Sequence, residues 1–159
     1  MTVLKMPEFI EMAVRDEETG EAFYTELAKS APTDDMRGAF AKMAGQERAH
    51  AERFRKMKTE LGDYKPTERH EGEYEGYFHS LLEMRAFGTP AEAAAKAKAL
   101  KDPREAVEIA MRMEKDTLLF YMELLEFLPE SQGRFVHEIV GEEQMHVNQL
   151  TALSHRLTN

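Results

Sequence analysis

Phe40-Ala41-Lys42-Met43-Ala44-Gly45-Gln46-Glu47-Arg48-Ala49-His50-Ala51-Glu52-Arg53-Phe54 is the stretch that decides how this chain folds. Around it Met36, Phe40, Met43, Phe54, Met57 and Leu61 recur at alternating spacings of three and four, the stripe of a helix with one buried face. The two positions that complete the series are Glu47 and His50. A carboxylate and an imidazole therefore stand where the pattern calls for core residues. Three apart on a helix, they project from one face about a turn from each other.

The same interruption occurs in three other segments. Ile10, Val14, Tyr24 and Leu27 or Ala28 point inward in the first, with Glu17 between them. Val107, Ala110, Leu118, Tyr121, Leu124 and Leu128 mark the buried side of the third, with Glu114 in its middle. Val136, Ile139, Leu150, Leu153 and Leu157 form the fourth stripe, completed by Glu143 and His146. Phase separates adjacent acids. Glu18 lines up with Glu11 and Thr25, and Glu142 with Glu138 and Gln149, so both are expected in solvent while Glu17 and Glu143 face inward.

Burying one unpartnered carboxylate costs several kcal/mol, and four facing each other would repel. Two divalent ions neutralise four carboxylates, and two neutral imidazoles complete the coordination without adding charge. Glu17, Glu47, His50, Glu114, Glu143 and His146 are accordingly the expected ligands of a two-metal site. A single Glu-x-x-His on a helix is more often a surface pair than a site. Two of them in phase with the core, joined by two further in-phase carboxylates, reverse that balance.

Helix boundaries follow from local chemistry. The first helix is expected from about Pro7 to Ser30, the second from Thr33 or Asp34 to Leu61 with Gly62 as C-cap. Asp102-Pro103 opens the third, which is expected to reach about Leu128, and the fourth follows Pro129 to about Leu157. Short loops make each pair an antiparallel hairpin. Residues 62–102 lie between the hairpins; there Tyr77, Phe78, Leu81 and Leu82 predict a short amphipathic helix within Tyr74–Phe87, and Thr89 with Glu92 caps another over Ala93–Leu100. The expected fold is all-α: a four-helix bundle of two antiparallel hairpins joined by a long, partly helical crossover.

Composition agrees. At 159 residues the chain makes one domain with a real core. Its net charge of −9 argues against a nucleic-acid partner, which needs a basic footprint. With no signal-like start and no run of about 18 apolar residues, a soluble, cytoplasmic protein without membrane contact is expected. Zero cysteines leave only oxygen and nitrogen for a metal. The 11 methionines read as core filler, and His70, His79, His137 and His155 as surface histidines.

The halves repeat. Phe23-Tyr24-Thr25-Glu26-Leu27 matches Phe120-Tyr121-Met122-Glu123-Leu124, Glu17 to Tyr24 and Glu114 to Tyr121 are both seven apart, and Glu17 to Glu47 is 30 residues against 29 from Glu114 to Glu143.

Glu17 with Tyr24, the segment Phe40 to His50, Glu114 with Tyr121, and Glu142-Glu143-Gln144-Met145-His146 together resemble the ferritin-like domain of rubrerythrins, across all four main helices. The resemblance implies a non-haem di-iron centre, two Fe ions per chain with Mn or Zn as substitutes, that reduces hydrogen peroxide or reacts with oxygen. It implies electrons from an external donor such as a rubredoxin, since no cysteine is present to build an iron–sulfur domain in this chain. It implies the same six ligands, without apportioning which carboxylates bridge. Tyr24 and Tyr121 are expected to hydrogen-bond a ligand carboxylate of the opposite half. Rubrerythrins tend to carry a further Glu one turn after the third-helix ligand, where this chain has Thr117, which brings the site closer to the six-ligand centre of bacterioferritin. Peroxide reduction and ferrous oxidation both stand open, beside an iron-storage subunit and a helical interaction module with structural metals. The amphipathic crossover makes a homodimer the expected assembly.

Overall fold

A computed structural model describes residues 6–65, 76–77, 80–81, 83, 85 and 87–158. Five helices are complete in it: α1 Met6–Ser30, α2 Asp34–Leu61, α3 Pro90–Ala99, α4 Pro103–Leu125 and α5 Glu130–Thr158. Three of them start where side-chain chemistry satisfies their first amides. Thr33 sits in extended backbone and its hydroxyl accepts from the Met36 amide at 3.2 Å; Thr89 does the same for Glu92 at 3.2 Å. Asp102 Oδ1 accepts from the Arg104 amide at 2.9 Å, ahead of Pro103. Gly62 ends α2 at φ 51°, a conformation that a Cβ penalises.

Helix α4 is three residues shorter than the expected end at Leu128. Pro129 disfavours helical backbone at the residue before it, and the chain tightens instead: the amides of Phe127 and Leu128 bond three residues back, to Leu124 and Leu125. In the crossover Gly76, Tyr77, Ser80, Leu81 and Glu83 are helical. Leu81 is half-buried against the core, whereas Tyr77 is exposed, so the expected stripe is only partly turned inward; Phe78 and Leu82 lie outside the described residues, as do His70 and His79. His137 and His155 are exposed.

The architecture is an α1–α2 hairpin facing an α4–α5 hairpin, with α1 against α4, α2 against α5, and α3 laid along α1. Helix α3 buries only Ala93 and Ala97, whose small side chains let the helices approach closely. Two apolar clusters fill the bundle. One gathers Phe23, Leu27, Phe40, Met43, Val107 and Leu150; the other gathers Phe9, Ile10, Phe54, Leu124, Val136 and Ile139. The polar layer lies between them. No described helix is long and apolar enough to cross a membrane.

Candidate metal centre

All six predicted ligands are buried, none more than 4% exposed. They converge in two overlapping groups: Glu17, Glu47, His50 and Glu143, and Glu47, Glu114, Glu143 and His146, with one donor atom of each residue within 4.8 Å of the others in its group. Glu47 and Glu143 belong to both. Each group thus draws on both hairpins, and the imidazole rings lie 6.2 Å apart across the layer.

Both imidazoles turn Nδ1 inward. His50 Nδ1 is 2.8 Å from Glu143 and 3.3 Å from Glu17; His146 Nδ1 is 2.9 Å from Glu143 and 3.1 Å from Glu47. These atoms are near enough to attract, yet they are not aligned as hydrogen-bond partners: Glu17 Oε2, Glu47 Oε1, both oxygens of Glu143 and both Nδ1 atoms are buried without a hydrogen bond. Buried polar atoms are nearly always satisfied, and this many converging orphans is the signature of a cation site. The donor set, carboxylate oxygen and imidazole nitrogen, suits iron, manganese or zinc. The residues therefore fit the two-ion group.

The chain's own charges do not satisfy the cluster. Burial, reinforced by the charges of Glu143 and Glu17, holds the Glu47 carboxyl well above its ordinary range. Burial and the Glu143 charge hold Glu114 at about 7, against the opposing pull of His146. Burial works against a charged imidazole, but contacts with Glu143 and Glu17 overcome it and push His50 up to about 11; Glu114 and Glu143 push His146 to about 9. In the metal-free chain protons hold this layer together, and divalent cations would replace them.

The tyrosines cross between halves. Tyr24 Oη donates to Glu114 Oε1 and Tyr121 Oη to Glu17 Oε1, and both hydroxyls are held well above their usual range by burial and by those carboxylates. Each fixes the orientation of a carboxylate on the opposite hairpin. Gly20 serves Glu47 differently: a Cβ there would sit 3.0 Å from Glu47 Oε2 and 3.1 Å from its Cδ, so only a glycine leaves the carboxylate its place.

Glu142 corrects the sequence expectation. It is only about two-fifths exposed, its Oε2 lies 3.0 Å from His50 Nε2, and Arg53 Nη1 donates to its Oε1 at 3.2 Å. Burial raises its carboxyl, but contact with His50 and Arg53 wins and the pKa is lowered. Its row on α5 is polar because it meets α2 there, and interhelical packing is not written in one helix's periodicity. Glu18 is half-buried and ion-paired with Arg55.

A second cluster escaped the sequence altogether. Asp16 ion-pairs with Arg85 and accepts from Thr117 Oγ1 at 3.2 Å; burial raises its pKa to about 7 despite the arginine. A signal existed, since Asp16 stands in a row with Phe9, Ala13, Gly20 and Phe23, all buried. Its partner Arg85 comes from the crossover, where no periodicity pointed.

The rubrerythrin family model matches residues 8–154. Among solved structures, the crystal structure of a ferritin-like diiron-carboxylate protein from Thermotoga maritima is similar to this chain, with a TM-score of 0.74 and 25% identity over 98% of this chain and 97% of that one. No curated protein matches.

Proposed function

This chain belongs to the rubrerythrin family, and from that membership we propose that it is a di-iron oxidoreductase that reduces hydrogen peroxide, with oxygen as the slower alternative. The observation that carries the proposal is the convergence of Glu17, Glu47, His50, Glu114, Glu143 and His146 in one buried layer, where all but Glu114 carry a buried donor atom without a hydrogen bond among the described residues. Glu47 and Glu143, common to both groups, would bridge; Glu17 with His50, and Glu114 with His146, would hold one ion each. Two ferrous ions so held would supply the two electrons that split an O–O bond.

The protein's part is spacing, charge balance and exclusion of water. Tyr24 and Tyr121 keep Glu114 and Glu17 turned toward the layer, and Glu142 holds the His50 ring with Nδ1 inward. The apolar clusters above and below keep the layer dry. An external reductant such as a rubredoxin, a second copy of the chain as partner, and a cytoplasmic location belong to the same proposal.

Ferrous oxidation of the bacterioferritin kind is the second reading, favoured by Thr117. Its hydroxyl is given to Asp16, and no seventh carboxylate stands at that turn. An anaerobic ferrous titration of metal-free protein, followed by rapid mixing with peroxide or oxygen, tests both. Saturation near two irons per chain with faster oxidation by peroxide is the expected result. Faster oxidation by oxygen would favour the second reading, and iron that neither oxidant touches would overturn both.

A further inference from the structure

A cleft opens beside the metal layer between α1, α4 and the segment leading into α3. Asp16, Glu47, Glu114, Thr117 and Arg85 are among its lining, so it runs from the surface to two of the four carboxylates of the proposed metal layer. Arg85 is the one cation among the described lining residues. Its side chain is 9% exposed and is fixed from two directions. One guanidinium nitrogen, Nη1, pairs with Asp16, and the guanidinium carbon sits 4.6 Å from the centre of the Phe120 ring. The other, Nη2, is buried and has no hydrogen-bond partner among the described residues. A buried donor left empty is costly, and more so on a charged group, so the position favours a ligand that brings an acceptor oxygen.

We propose that Arg85 is a specificity-determining residue, whose Nη2 donates to an oxygen of hydrogen peroxide entering this cleft and thereby selects peroxide over dioxygen. The proposal rests on the peroxide reading given above. Besides the two proposed ligands, Asp16 and Asp116 line the cleft against one guanidinium that Asp16 already pairs, so a small anion finds no free positive charge there while a neutral molecule can enter. Hydrogen peroxide is neutral, offers lone pairs to Nη2 and offers O–H groups to the carboxylates. Dioxygen has no O–H to give and is a poor acceptor, so it gains nothing from Arg85.

Two measurements test this. In the first, hydrogen peroxide is titrated into zinc-loaded protein, which is redox-inert, while the guanidinium signals of Arg85, assigned by their loss in Arg85→Lys, are followed by NMR. A saturable shift is expected. In the second, iron-loaded Arg85→Lys, which keeps a charge for Asp16 but loses the planar fork, is compared with the unaltered protein. One lost hydrogen bond predicts a KM for peroxide about tenfold higher with kcat altered less than twofold, and a tenfold lower ratio of peroxide to dioxygen rates. Signals that stay put, or peroxide and dioxygen rates that move together, would overturn the proposal. If the signals shift but peroxide oxidises no iron, the arginine site stands and the redox reading falls. If peroxide oxidises iron with an unchanged KM in Arg85→Lys, the redox reading stands and the arginine site falls.

Discussion

The two hairpins bring the same three proposed ligands at nearly the same spacing, yet they surround them differently. In the first, His50 Nε2 lies 3.0 Å from Glu142; in the second, His146 Nε2 is buried without a hydrogen-bond partner. Three residues after Glu17 stands Gly20, pressed against Glu47; three after Glu114 stands Thr117, bonded to Asp16. The residue before Glu17 is the largely buried Asp16, paired with Arg85, whereas Met113 precedes Glu114. The repeat preserves what each half gives to the shared layer. What flanks it differs, because α3 lies along α1 and Arg85 reaches Asp16, with no counterpart on the other hairpin among the described residues.

The sharpest way to break this picture is to remove a residue that both halves share and compare it with one that only one half uses. Glu143→Ala takes away the carboxylate in contact with both imidazoles and should abolish stoichiometric binding of both ions in a ferrous or cobalt titration. Glu114→Ala should leave one ion per chain. Equal losses from the two variants would contradict the division into shared and private ligands.

Next in size is the contrast between Gly20 and Thr117. Gly20→Ala forces the Glu47 carboxylate aside and should weaken metal binding about 10- to 100-fold, the range seen when ligand orientation is disturbed. Thr117→Ala removes one hydrogen bond to Asp16, about 1 kcal/mol of stability at most, with metal affinity nearly unchanged. Isothermal titration of the two variants side by side decides it.

Glu142→Gln sharpens the asymmetry of the histidines. Removing the charge behind His50 should weaken the ion held by Glu17 and His50 about tenfold and leave the other unaffected, so that a two-step cobalt titration loses separation or changes order. A uniform drop in both steps would mean that Glu142 acts on the whole layer.

A last contrast, between the metal-free and the metal-loaded layer, is in pH dependence. Glu114 and Asp16 are held up to about 7 and His146 to about 9, all above their ordinary values. A group whose pKa is higher in the fold binds its proton more tightly there, so the stability it lends is present at low pH and lost as pH rises through those values. Metal-free protein should therefore melt lower at pH 9 than at pH 5, by about 5 °C for roughly 2 kcal/mol. Metal-loaded protein has already released the protons of Glu114 and His146, leaving only that of Asp16, and should lose less of its melting temperature over the same interval. Parallel curves with and without metal would show that protons and ions do not compete for this layer.

Much of this was legible in the primary structure. The stripes give four long helices, and caps at Thr33, Thr89 and Asp102 place their starts to the residue or nearly so. Glu17, Glu47, His50, Glu114, Glu143 and His146 stood out because they interrupt apolar series, and the fold gathers all six. The end of α4 at Leu125 is not legible in the stripe, because the apolar series runs on to Leu128 while Pro129 disfavours helical backbone before it. Glu142 was placed in solvent because its own helix shows a polar row; only the approach of α2 brings His50 and Arg53 to it.

By itself, then, the sequence determined the helices, their pairing into hairpins and the six polar residues that enter the core, because each depends on a local period of 3.6 residues and on the cost of burying charge. Which carboxylates are common to both groups, which histidine is backed by an acid, and that Asp16 meets Arg85 at the mouth of a cleft were decided by tertiary structure alone. Those contacts join residues about 70 to 100 positions apart, and no single-helix periodicity encodes the height or rotation at which two helices meet.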